Sequence, residues 1–93
     1  MDFEFDPAKS KSNKDKHGVD FVDAQALWKD KLRLVIKARH VNEPRYALIA
    51  EMHGRLWLAV YVLRDETVRL ISVRRARAME KERYEDYNRS RIR

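Results

Sequence analysis

Cysteine is absent from the 93 residues. Its absence excludes a disulfide scaffold, thiolate zinc sites and cysteine nucleophiles, and it fits a reducing compartment. No apolar run approaches the roughly 18 residues of a membrane-spanning helix, and the first residues form no hydrophobic signal segment. A cytoplasmic protein with no membrane partner is the expectation. Glycine and proline are scarce, two of each. All four sit where chain punctuation is expected, and no repeat, linker or low-complexity tract is present. One domain over 1–93 is expected, since two would each fall near the size that needs disulfides or metals.

Charge is what the chain has in abundance. Charged residues make up 39% and the formal net charge is +6. That balance favours polyanionic partners and says nothing about fold. Residues 1–19 carry four lysines against four acids, residues 20–63 seven basic against five acidic, and residues 64–93 ten against six. Nine of the last ten are arginine, whose planar fork grips phosphate with two bonds. A solvated, salt-bridged surface is the competing account of the same composition.

Asp6-Pro7 opens a first helix, with Asp6 as cap and Pro7 at the first helical position. It runs to about Lys16 and stops at Gly18, a left-handed cap. Phe3, Phe5, Val19 and Phe21 flank this apolar-poor helix and are expected to pin it. Asp20 caps a second short helix with a stripe of Phe21, Ala24, Leu27 and Trp28. From Lys31 the period becomes two: Leu32, Leu34, Ile36 and Ala38 alternate with Lys31, Arg33, Val35 and Lys37, which reads as a half-buried strand near an edge. A polar loop over 39–44 leads to a hairpin of 45–52 and 55–63 around His53-Gly54. Its second strand is apolar on both faces and therefore central. Arg64-Asp65-Glu66 turns into a strand over 67–74, and a helix over about 76–88 carries Met79, Tyr84 and Tyr87. The expected class is α+β: ααββββα, a four-stranded antiparallel meander with helices packed on it.

Three blocks of the chain resemble one family. The first is Phe3-Glu4-Phe5-Asp6-Pro7-Ala8-Lys9, Asn13, Lys16-His17-Gly18-Val19 and Phe21, with Phe5 where tryptophan is usual. The second is Arg39-His40 followed by Arg45-Tyr46. The third runs from Tyr61 through Arg64, Arg69-Leu70-Ile71-Ser72 and Arg74-Arg75-Ala76 to Glu82-Arg83-Tyr84-Glu85. Val62, Ala50 and Val73 stand where threonine, glycine and alanine are common, as packing substitutions. Together they resemble the BrnT family of ribonuclease toxins from type II toxin–antitoxin systems. The resemblance implies a RelE-like fold and an endoribonuclease that cleaves RNA without metal and arrests translation and growth. It further implies neutralisation by a BrnA-like antitoxin, with operator DNA contacted only through that antitoxin.

RNA can be cleaved without metal when a base takes the ribose 2′-OH proton, positive groups hold the phosphorane charge and an acid assists the leaving oxygen. His40, beside Arg39 in the polar loop, is the histidine expected at such a site. His17 ends the first helix, where capping is the competing role, and His53 reads as a turn residue. The histidine spacing is no metal signature, and no cofactor is expected. Arg64 begins the turn after the central strand. Arg74 and Arg75 point to opposite faces by strand alternation. One is expected to bind RNA while the other supports a helix carboxylate such as Glu80 or an antitoxin contact. Arg69 is expected to share a face with Ile71 and Val73. Tyr61, on the face of Trp57 and Ala59, is either a base-stacking platform or a core tyrosine. Lys9, Asn13 and His17 make a polar stripe on the first helix, read as a hydrogen-bonded seam in preference to a functional one. The candidate catalytic set is therefore Arg64, Arg74, Arg39 and His40, and the RNA-binding set Arg75, Arg69, Arg45 and Tyr61. For each arginine the alternative is a surface ion pair worth about 0–1 kcal/mol. A non-catalytic RNA- or antitoxin-binding module is the alternative for the whole chain.

Overall fold

A computed structural model describes residues 1–38 and 42–91. The elements in chain order are β1 (Asp2–Glu4), α1 (Pro7–His17), a 3-10 helix (Asp23–Lys29), β2 (Leu34–Ala38), β3 (Arg45–Met52), β4 (Arg55–Arg64), β5 (Thr67–Arg75) and α2 (Ala78–Arg91). The strands form one five-stranded sheet in the order β1-β5-β4-β3-β2. β1 runs parallel to β5, with Phe3 opposite Val68 and Glu4 opposite Arg69, and the other pairs are antiparallel. The four-stranded antiparallel sheet expected from the pattern is thus corrected to a five-stranded mixed one. A strand of three residues is too short to show a period of two. Its partner also lies far along the chain, so no local signal marks the pairing. As anticipated, β4 is central and β2 is an edge strand, with Leu34, Ile36 and Ala38 half-buried and Val35 and Lys37 exposed.

α1 begins and ends as its caps dictate. The Ala8 amide donates to the Asp6 side chain at 2.9 Å, and Gly18, at φ 81°, donates its amide to the Lys14 carbonyl. Its only buried residues are Ser10 and Asn13, so it docks through hydrogen bonds. Asn13 Nδ2 donates to the carbonyls of Val19 (2.8 Å) and Val73 (2.9 Å), and the Val73 amide donates to Asn13 Oδ1 at 3.0 Å. The Phe21 amide donates to Ser10 Oγ. β1 reaches only as far as Arg69 on β5; beyond it, the Asn13 side chain satisfies Val73 as a neighbouring strand would.

The second helix is a 3-10 helix, not the α-helix its cap suggested. Phe21, Ala24 and Leu27 are fully buried at steps of three, the period of a 3-10 helix. Asp20 is not its N-cap, which is Val22 without a side-chain bond; Asp20 Oδ1 instead accepts from the amides of Val22 and Asp23 in the turn leading into the helix. With Val19 these residues cover one sheet face, where Leu48, Ala50, Trp57, Ala59, Tyr61, Leu70 and Val73 complete the core. Phe3 packs edge-on against Trp28.

α2 starts two residues later than the pattern suggested, because the Ala76 amide still donates to the Leu56 carbonyl. Met79 and Tyr87 are exposed. Tyr84 donates to Asp30 Oδ2 at 2.7 Å, and the same oxygen accepts from the Glu51 amide at 2.8 Å. Asn88 Nδ2 donates to the Leu32 carbonyl at 2.9 Å. Burial alone would raise the Asp30 carboxyl. Hydrogen bonds from the Glu51 amide, Tyr84 hydroxyl and Leu32 amide, with the Arg33 charge, outweigh it and hold the group below its ordinary value. Burial and the bond to Asp30 push the Tyr84 hydroxyl far up. Among the described residues no helix is long and apolar enough to cross a membrane.

Candidate nucleic-acid interface

The position of β5's arginines follows from an irregularity in its pairing. Val60 is opposite Ser72, but Tyr61 is opposite Leu70, which leaves Ile71 as an extra residue in β5. A bulge of this kind reverses the alternation beyond it. Val73 pairs with Ala59 in the core, whereas Arg69 pairs with Val62, which lies on the opposite face of β4. Arg69 therefore does not share a face with Val73, as plain alternation implied. The extra residue moves it to the other face of the sheet.

On that face Arg69, Val62 and Arg45 form one row. Arg45 precedes Tyr46, the partner of Tyr61, and so flanks Val62. Val62 is 1% exposed, and the long arginine stems on either side have apolar surface to lie along. Arg64 follows two residues on along β4, paired with Thr67. The structure thus gathers Arg45, Arg64 and Arg69 at one end of the sheet. Arg69 meets Glu4 and Arg64 meets Glu43, each at 3.6 Å with exposed or half-exposed partners. Ion pairs this long and open contribute about 0–1 kcal/mol, so a phosphate can replace either carboxylate at small cost. The Arg45 Nε is buried with no hydrogen-bond partner among the described residues. Arg39 and His40 lie outside the described residues.

The remaining candidates are elsewhere. Arg74 holds Glu80 with two bonds of 2.9 and 2.8 Å, and this is the arginine of the pair that supports a helix carboxylate. Glu80 Oε1 also accepts from the Arg77 amide at 2.7 Å, closing the first turn of α2 in the manner of a capping box. The bond from Arg74 pulls the Glu80 carboxyl down, and the same bond raises the guanidinium. A catalytic role for Arg74 would require breaking this fork. Arg75 faces the other way, as expected, its guanidinium 5.7 Å from the Trp57 ring centre. It stands at the opposite end of β5 from Arg69, roughly 20 Å away along the strand. Tyr61 is 5% exposed, stacked on Tyr46 at 5.5 Å and edge-on to Trp28 at 5.2 Å. Burial raises its hydroxyl, and no ring face is open to a base, so Tyr61 takes its core reading. Lys9 and His17 are exposed on the stripe whose middle member, Asn13, is the buried seam. Arg55 was not singled out from the sequence. Its place two residues before Trp57 was the available signal, because that spacing puts both on one face.

A small α+β domain with three arginines gathered at one end of its sheet belongs to a broad class, basic proteins whose charge favours polyanionic partners. The family is narrower. Residues 5–80 match the model of the ribonuclease toxin BrnT of type II toxin–antitoxin systems, and the chain belongs to that family. The matched segment runs from the residue after β1 to Glu80 and contains every candidate named above. No curated protein matches the chain.

Proposed function

We propose that this chain is the toxin of a type II toxin–antitoxin system, a metal-independent endoribonuclease that cleaves cellular RNA and thereby halts translation and growth. The observation that carries the reading is the convergence of Arg45, Arg64 and Arg69 beside the strand end that leads to Arg39 and His40, inside the family-matched segment. In this reading His40 takes the proton from the ribose 2′-OH. The freed oxygen attacks the adjacent phosphorus, Arg64 and Arg39 hold the charge that builds on the phosphorane, and Arg45 and Arg69 position the flanking phosphates. The P–O5′ bond then breaks and the departing 5′ oxygen takes a proton from solvent or from the His40 imidazolium just formed, leaving a 2′,3′-cyclic phosphate and a 5′-hydroxyl.

An antitoxin of the BrnA type neutralises the protein by covering this arginine face, and operator DNA is reached only through that partner. Expression of the chain alone tests the proposal. The wild type arrests growth, while Arg64→Ala and His40→Ala relieve the arrest. Equal arrest by all three would remove both residues from the mechanism.

A further inference from the structure

Two neighbouring cavities lie between α1 and the far end of β5. One, of about 200 Å³, is bounded by Lys9, Lys16 and His17 of α1 and by Ile71 and Ser72 at the bulge. The next, of about 350 Å³, is bounded by His17, His53, Arg55, Trp57 and Arg75. His17 lines both, so the two adjoin at the end of α1 and are treated together as one groove, and no carboxylate lines either. Among the described residues Lys9, Lys16, Arg55 and Arg75 make no ion pair. This differs from the arginine face, where two of three cations have a glutamate.

The groove is also built rather than incidental. Arg75 lies over the Trp57 ring, and the indole N–H donates to the Met52 carbonyl at 3.1 Å, which fixes that ring. A guanidinium held by a ring keeps its N–H groups free and offers its outer face, the arrangement on which unpaired bases stack. The C-terminal end of α1 carries partial negative charge. Gly18 already satisfies the Lys14 carbonyl, and the basic side chains around it outweigh the rest.

We propose that this groove is a second RNA contact, taking the phosphates of the strand that leaves the arginine face past the β5 edge. The proposal rests on the RNA reading above. The β5 backbone supplies the route: Arg69 on the first surface, Ser72 at the bulge, and Arg75 in the groove. Phosphate chemistry is favoured over an acidic protein because the cations line a concave channel with a stacking plane.

The test is fluorescence anisotropy with a labelled, cleavage-resistant 2′-O-methyl oligonucleotide of roughly twelve nucleotides and with the corresponding dinucleotide. A K9Q/K16Q/R55Q variant, altered only at exposed positions, should bind the long oligonucleotide about tenfold more weakly. The slope of log affinity against log salt should fall by about 2, near 0.7 for each lost contact. Its affinity for the dinucleotide should not change, and R75K should keep the salt slope. An unchanged long-oligonucleotide affinity would overturn the groove while leaving the arginine face standing. Equal losses with both ligands would make the groove the primary site and overturn its second role. Intact RNA binding with weakened antitoxin binding would reassign it to an acidic protein. A wild type that binds neither ligand would overturn the RNA reading itself.

Discussion

Asn13 joins three parts of the molecule with one amide: α1, the segment at Val19 and the uncovered edge of β5 at Val73. Replacing it with alanine leaves a buried amide and two carbonyls without partners. Each unsatisfied group costs about 1–3 kcal/mol before relaxation. Asn13→Ala is therefore expected to lower unfolding free energy by about 2–4 kcal/mol, measured by urea titration, and Ser12→Ala on the exposed neighbour by almost nothing. Asp30 and Glu80 carry a second prediction. Both carboxyls sit below their ordinary values in the fold, so the unfolded chain binds their protons more readily. Their contribution is complete above the unfolded pKa values, about 4, and is lost as pH falls through the folded ones. Asp30→Asn and Glu80→Gln should be destabilised near neutrality and should flatten the fall in stability on acidification from about pH 5 to 3.

At the scale of elements, most of the fold was legible and the exceptions share a cause. Caps and glycines located α1, a period-two run located β2, the His53-Gly54 turn located the hairpin of β3 and β4, the turn at Arg64-Asp65-Glu66 located β5, and the apolar faces of β4 placed it centrally. β1 was missed because three residues carry no period and its register is set by Val68 and Arg69, on a distant strand. The 3-10 helix was read as α because a cap and an apolar stripe do not distinguish steps of three from steps of 3.6 over so short a stretch. The bulge at Ile71 was invisible for the same reason: an extra residue appears only when two strands are aligned. This last miss matters for the site, since it moves Arg69 to the face of Arg45 and Arg64. β1 is expected to be required for that placement as well as for the edge. Phe3→Ala, which removes the contact with Trp28, should cost about 2–4 kcal/mol, seen as a lower urea midpoint with an unchanged slope.

At the scale of the whole molecule, the basic C-terminal third divides into separate surfaces. Arg74 is committed to α2, Arg75 belongs to the groove beside α1, and Arg64 and Arg69 join Arg45 at the other end of the sheet. Charge counting could not separate these, because alternation, the bulge and the Glu80 fork decide where each guanidinium goes. The resemblance of the three sequence blocks to BrnT toxins points to a ribonuclease, and the family match over residues 5–80 agrees with it. The measurement that bears most directly on the central claim is cleavage of a short RNA by the pure, antitoxin-free protein in the presence of EDTA. The wild type should cut it to products ending in 2′,3′-cyclic phosphate. Arg64→Ala should slow single-turnover cleavage by about 10²–10³, while Arg89→Ala, in an exposed helical ion pair with Asp86, should match the wild type. RNA left intact by the wild type, or cut equally well by Arg64→Ala, would contradict the account.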